Sequence, residues 1–213
     1  MKHIEVYRYT LKNQIQNNNM NKITLVKQFV KNHLSKEYSG HDYFHALRVW
    51  KMAKKIAKNY DVDLEVVEIS ALLHDLIDEK LDNHLTNKDI VDFLKSIKLE
   101  LIKIKKVLNI INSISFRKQI PKSDLSMEAK IVQDADRLDA LGAVGIARVF
   151  AYAGRNRKLI YSSNNNETAI HHFYEKLFLL KDKMNTPEAK EIAKKRDKFM
   201  HEFLNEFLKE WNI

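Results

Sequence analysis

The adjacent pair His74-Asp75 closes an apolar stretch, and its side chains are of the types that bind divalent metals. Residues 66–73 (Val-Val-Glu-Ile-Ser-Ala-Leu-Leu) predict a buried helix, in which an uncompensated imidazole or carboxylate would be costly. A second histidine, His45, lies upstream, and Asp136 lies in an acidic cluster downstream. These four side chains come from separate predicted helices and their ends, and together they form a candidate metal site.

The ligand types limit the choice of metal. The chain has no cysteine, which excludes disulfides, thiolate nucleophiles and Cys-type zinc sites. Nitrogen and oxygen ligands favour Mn, Fe, Co, Ni or Zn, or Mg if the carboxylates dominate. Between Asp75 and Asp136 the sequence offers only His84 as a further imidazole, so we predict one divalent ion. Such an ion lowers the pKa of its bound water and neutralises phosphoryl oxygens.

Asp78 is the candidate general acid or base. It stands four residues after His74 and three after Asp75, so the three side chains share one face if the helix continues for another turn. A carboxylate beside the metal is well placed to move a proton. The alternative is a solvated residue in an acidic turn with Glu79.

Three further side chains are candidates for substrate binding. His41 and Arg48 flank His45 on its predicted helix, and Lys80 follows Asp78. His41 either touches the substrate or occupies the exposed start of the helix. Arg48 and Lys80 are candidate phosphate clamps, although ordinary surface charge is the alternative in a chain with a net charge of +9.

Two acidic residues near Asp136 could orient a metal ligand from behind. Asp139 lies one turn after Asp136 and is the better placed, with Asp134 as the other candidate. A purely structural metal site remains an alternative, but structural sites tend to be closed and local in sequence, unlike this set.

The composition predicts an all-α protein. With 213 residues, 4 glycines and 2 prolines, the chain suits one compact multi-helix bundle better than a turn-rich sheet. Residues 1–20 resemble an extension, and 21–213 form the predicted domain. Helices are expected from Ile23, from a Ser39 cap with Asp42, and from Asp63 to near His74-Asp75 or one turn later. Others are expected at 87–97, 100–114, 127–137, 138–153, Glu167–Asp182 and Pro187–Trp211, with Gly142 and Gly145 allowing close approach of a neighbour.

The sequence gives a coarse indication of where the protein is located and what it binds. No signal-peptide core or bilayer-spanning run is found, so a cytoplasmic protein without membrane contact is expected. Scattered lysines favour a solvated surface, and nucleic acid is not expected as a partner because aromatic residues are not interleaved with a basic tract. The sequence leaves a homodimer open.

The candidate ligands resemble a known signature. His45, His74-Asp75 and Asp136 resemble the H…HD…D pattern of the HD-domain metal-dependent phosphohydrolase superfamily. Segments 40–49, 71–80 and 131–142 resemble a bacterial branch of HD-domain hydrolases, and so do 172–177, 183–186 and 196–200. The resemblance covers about residues 23–212.

The resemblance implies an all-helical fold with one divalent metal ion in a cleft between helices. It also implies hydrolysis of a phosphate or pyrophosphate group from a nucleotide, deoxynucleotide or other small phosphate ester. In a similar nucleotidase group an acidic residue stands where Asp78 lies here. The alternatives are a nucleotide- or nucleic-acid-sensing protein that binds its ligand without turnover and a basic helical module that binds nucleic acid.

Overall fold

The fold is all-α, as predicted. The computed structural model describes residues 21–35, 37, 40–79, 81, 84–114 and 121–212. The predicted extension at 1–20 and the candidate Lys80 therefore lie outside the described residues. The main helices are α1 (Lys22–Leu34), α2 (Tyr43–Ala57), α3 (Leu64–Leu73), α4 (Asn87–Ser96), α5 (Leu101–Ser113), α6 (Met127–Asp139), α7 (Gly142–Arg155) and α8 (Pro187–Trp211).

Most of these helices start at a side-chain cap. Asp42 accepts a hydrogen bond from the backbone N–H of His45 and so begins α2, which places the start after Asp42 and not at Ser39. Thr86 and Asp89 form a capping box at the start of α4. Pro187 occupies the first turn of α8, as its fixed φ predicts.

The helix predicted for Glu167–Asp182 is wrong as a single element. The backbone N–H groups of Ala169 and Ile170 donate to the carbonyls of residues 159 and 160, next to an isolated parallel bridge between Leu159 and Thr168. This pairing holds the chain extended, so helical structure starts only afterwards. The helical segment consists of a π-helix (Phe173–Leu177), an α-helical turn (Phe178–Leu180) and a 3-10 turn (Lys181–Lys183).

Helix α3 is the centre of the core. Its residues from Val66 to Leu73 are all buried, because α1, α2, α5 and α6 pack around it. A helix that is apolar around most of its surface requires such an enclosure. The C-terminal end of α3 therefore delivers His74 and Asp75 into the interior. No helix in the described ranges is both long enough and apolar enough to cross a bilayer.

Gly145 allows the close approach of α7 to the turn before it, as its position suggested. A Cβ on Gly145 would lie 2.2 Å from the carbonyl oxygen of Ala140, which is backbone and has little freedom to move. We expect Gly145→Ala to lower the free energy of unfolding by about 1–3 kcal/mol in urea titrations.

Gly154 provides the matched control on the same helix. A Cβ on Gly154 would meet nothing within 4 Å, so Gly154→Ala should be neutral or stabilising by roughly 0.5–1 kcal/mol. Equal effects of the two substitutions would contradict the steric explanation.

Candidate metal centre

The structure brings the four predicted ligands close together around the Nε2 atoms of His45 and His74. Ligand atoms of His45, His74 and Asp136 lie within 4.8 Å of one another, and Asp75 belongs to a group with His45 and His41. His45 lies in the first turn of α2, His74 and Asp75 directly follow α3, and Asp136 lies near the end of α6. His45 Nε2 is 3.2 Å from His74 Nε2, 3.1 Å from an Asp75 oxygen and 3.5 Å from an Asp136 oxygen. His74 Nε2 is 3.2 Å from the other Asp75 oxygen and 3.6 Å from Asp136. These distances suit ligands that converge on one cation.

The outer nitrogens of both imidazoles are held by acceptors. His45 Nδ1 donates to Asp139 Oδ2 at 2.7 Å, and His74 Nδ1 donates to the Ala71 carbonyl at 2.9 Å. Each Nδ1 therefore carries a proton, and the two Nε2 atoms, which are the positions left for a metal, face each other. Two lone pairs at this separation repel, so either a proton or a cation must lie between them. The donor set therefore fits a divalent metal.

The carboxylates shift the pKa values of the cluster. Burial lowers the pKa of His74, but the charges of Asp75 and Asp136 outweigh burial and raise it to about 9. Burial raises the pKa of Asp136, but hydrogen bonding to His74 and the nearby imidazoles outweigh burial and lower it to about 2. The pKa of Asp75 is also held well below its usual range, because His74 and His41 oppose the effect of burial. Two ionised carboxylates thus face the imidazoles.

These pKa shifts predict how metal affinity depends on pH. Because the pKa of His74 is about 9, a metal must displace a proton from Nε2 at every pH below that value. We expect the Kd for Mn²⁺ to fall with rising pH between 7 and 9, by about tenfold per unit at most. Calorimetric titrations at three pH values measure this dependence, and a constant Kd across the range would contradict it.

Asp139 lies on the outer side of His45 and accepts hydrogen bonds from several side chains. Besides His45 it accepts from Arg48 Nε at 2.8 Å, from Arg48 Nη2 at 3.0 Å and from Arg148 Nη1 at 3.1 Å. Burial raises its pKa, but these donors outweigh burial and hold the pKa far below its usual range. Asp139 therefore stays ionised and engages the two arginines, which leaves Asp75 and Asp136 to balance a divalent charge.

The predicted substrate-binding residues His41 and Arg48 both contact carboxylates of the site. His41 precedes α2 and is not on it, and its Nδ1 lies 2.9 Å from Asp75 Oδ2. With His45 and Asp75 it forms another group of ligand atoms within 4.8 Å of one another. The fork of Arg48 faces Asp139, so a phosphate would have to bind to its remaining edge. The substrate-binding roles of His41 and Arg48 stay predictions.

The helical argument for Asp78 is wrong in its premise. Helix α3 ends at Leu73 with His74 as its C-cap, and the chain continues in tighter turns, with the Asp78 N–H donating to the Asp75 carbonyl. The three side chains therefore do not share a continuous α-helical face. Asp78 is half-buried three residues beyond a ligand, and its catalytic role stays a prediction.

Asp134 serves the fold. Its carboxylate accepts hydrogen bonds from the backbone N–H groups of Asn185 and Thr186 and from both of their side chains. These bonds fix the start of α8 against α6, so Asp134 does not orient a metal ligand. Sequence reasoning missed Arg148, which contacts Asp139, because one arginine in a basic chain carries no signal of its own.

Comparison with known proteins agrees with this geometry. The family model described as "HD domain" matches residues 42–141, a span that holds His45, His74, Asp75 and Asp136. YpgQ of Bacillus subtilis strain 168 is 41% identical over 189 residues, which cover 87% of this chain and 91% of YpgQ. The chain belongs to the HD-domain superfamily of hydrolases.

Solved structures of HD-domain relatives have the same fold. The crystal structure of B. subtilis YpgQ in complex with ADP superposes with a TM-score of 0.79 at 37% identity, covering 88% of this chain and 97% of YpgQ. An HD-superfamily hydrolase from Bacillus thuringiensis superposes with a TM-score of 0.72 at 42% identity, covering 90% and 97%. The Listeria innocua protein Lin1889 superposes with a TM-score of 0.76 at 38% identity, covering 91% and 99%.

Proposed function

We propose that this HD-domain protein is a metal-dependent phosphohydrolase that removes a phosphate or pyrophosphate group from a nucleotide or deoxynucleotide. The observation that carries the proposal is the pair of facing Nε2 atoms of His45 and His74, 3.2 Å apart, with Asp75 and Asp136 beside them. Buried imidazoles that direct their lone pairs at one point are suited to bind a metal, and the half-exposed Asp136 marks the open side. The crystal structure of YpgQ with ADP supports a nucleotide as the ligand.

The roles of the residues follow from their positions. A divalent ion held by His45, His74, Asp75 and Asp136 would supply Lewis acidity towards water and phosphoryl oxygens. Water attacks phosphorus, the bond from phosphorus to the leaving oxygen breaks, and the proton from water passes to a nearby base. Asp78 is the proposed base, while His41, Arg48 and Lys80 are the proposed contacts to the phosphate groups.

The role of Asp78 can be separated from metal binding. We expect Asp78→Asn to lower kcat by about 10²–10⁴-fold, the usual loss when a general acid or base is removed, while the Kd for Mn²⁺ stays within threefold of wild type. Steady-state kinetics and calorimetry measure the two quantities. An unchanged kcat would assign proton transfer to another group, and a lost Mn²⁺ affinity would make Asp78 a ligand instead.

A nucleotide screen tests the proposed activity. Purified protein is incubated with Mn²⁺ or Co²⁺ and a panel of ribo- and deoxynucleotides, and released phosphate and pyrophosphate are measured separately. The proposal expects turnover that disappears with EDTA. Tight nucleotide binding without product after long incubation would instead favour a sensor, and metal-independent DNA binding that falls steeply with salt would favour a nucleic-acid module.

A further inference from the structure

Arg148 connects two chain segments at the candidate metal centre, the residues just before α2 and the end of α6. Its Nε donates to the Gly40 carbonyl at 2.8 Å, and its Nη1 donates to Asp139 Oδ2 at 3.1 Å. Its side chain is only 14% exposed although it carries a full charge. Helix α7 thus reaches the site through one guanidinium with two separate acceptors.

Each acceptor is directly connected to a candidate ligand, either along the chain or through a hydrogen bond. Gly40 directly precedes His41, whose Nδ1 contacts the Asp75 carboxylate at 2.9 Å. Asp139 Oδ2 is the same oxygen that accepts from His45 Nδ1 at 2.7 Å. A shift of the Arg148 guanidinium would therefore be transmitted to the orientation of both His45 and Asp75.

The backbone at Gly40 is adapted to this contact. Its φ is +91°, in the left-handed region that side chains disfavour. A Cβ at this position would also lie 3.3 Å from Cβ and Cγ of Arg148. The close approach of the arginine stem therefore depends on glycine, and the turn presents its carbonyl directly to Nε.

Neutralising Asp139 does not by itself explain Arg148. Arg48 already binds both oxygens of Asp139 through its fork. The contact that Arg148 adds is the bond to the Gly40 carbonyl, which ties the segment before α2 to Asp139. This bond fixes the position of the Gly40 segment relative to Asp139 and does not change the charge of the site.

We propose that Arg148 is a positioning residue of the metal centre, which fixes Asp139 and the Gly40–His41 segment so that His45 Nε2 and the Asp75 carboxylate face one cation. The inference rests on the proposed function insofar as it assumes that these side chains bind a metal. Its test uses metal binding and not turnover, so the two can fail separately.

The experiment compares three variants of the full chain. Arg148→Met removes both hydrogen bonds, and Arg148→Lys keeps the charge but lacks the planar fork that reaches two acceptors. Arg155→Met is the matched control, because Arg155 lies two turns further along α7 and pairs with Glu37 instead of Asp139. The Kd for Mn²⁺ is obtained from the EPR signal of free Mn²⁺, and the visible spectrum of bound Co²⁺ reports coordination.

We expect Arg148→Met to weaken Mn²⁺ binding by about 10–100-fold, the usual effect of losing a partner behind a ligand, and to alter the Co²⁺ spectrum. Arg148→Lys should weaken binding by roughly tenfold, and it carries the test if Arg148→Met does not fold. Arg155→Met should match wild type in both measurements.

The inference is overturned if folded Arg148→Met keeps wild-type Mn²⁺ affinity and an unchanged Co²⁺ spectrum, even with a lowered melting temperature. If Arg148→Met does not fold, the same result for Arg148→Lys overturns it. An equal loss of affinity in Arg155→Met would also overturn it, since the effect would then belong to α7 as a whole. If the wild-type protein binds no Mn²⁺ or Co²⁺, the proposed function and the inference both fail.

Discussion

Replacement of His74 by alanine is expected to lower metal-dependent kcat/KM on the order of 10³-fold or more. The substitution removes one of two imidazoles at the proposed metal site, and a bound metal supplies several kcal/mol of stabilisation to a phosphoryl-transfer transition state. His74 is only 6% exposed, so its removal leaves a buried gap in the proposed ligand set. Steady-state kinetics with the nucleotide identified in the screen measure the loss.

The control for this variant is His84→Ala. His84 is exposed, and its Nδ1 contacts only the nearby Leu81 carbonyl among the bonds found. We expect this variant to keep wild-type activity and Mn²⁺ affinity. If His74→Ala folds and retains activity within tenfold of wild type, the assignment of His74 as a ligand is wrong.

Asp139→Ala is expected to destabilise the fold by about 2–4 kcal/mol. The change removes the acceptor shared by His45, Arg48 and Arg148 and leaves charged donors without a partner. We place the loss below that of a fully buried pair because the Arg48 side chain is 36% exposed and can be resolvated. For a chain of this length the loss corresponds to a fall in melting temperature of roughly 4–16 °C.

The same substitution should weaken Mn²⁺ binding, because nothing would then hold the proton on His45 Nδ1. Differential scanning calorimetry and a Mn²⁺ titration measure the two effects. Asp124→Ala serves as the control, since Asp124 is exposed and its carboxylate accepts a hydrogen bond from the neighbouring Ser123 hydroxyl. If Asp139→Ala melts at the same temperature as Asp124→Ala, the network around Asp139 does not stabilise the fold.

The sequence predicted the parts of the fold that depend on local pattern. A mostly apolar run at residues 66–73 predicted that α3 is buried and that His74-Asp75 lies at its end. Proline in the first helical turn predicted the start of α8. The small residue at position 145 suggested a close approach, and the structure places the Ala140 backbone there.

The sequence did not predict features that depend on contacts between distant segments. The bridge between Leu159 and Thr168 interrupts a segment whose periodicity is helical. Helical spacing placed Asp139 ahead of Asp134 as a partner for a ligand, and Asp139 does contact His45. The spacing did not predict that Asp134 anchors the start of α8. Arg148 is nine residues from Asp139 and far from Gly40 in sequence, so only the folded chain reveals that it joins them.

A crystal structure of the protein soaked with Mn²⁺ tests the central claim most directly. An anomalous difference map should contain one strong peak between α2, α3 and α6, roughly 2.0–2.3 Å from His45 Nε2, His74 Nε2 and an oxygen each of Asp75 and Asp136. A map without a peak within reach of those four side chains, from crystals soaked well above the measured Kd, would contradict the claim that they form a metal centre.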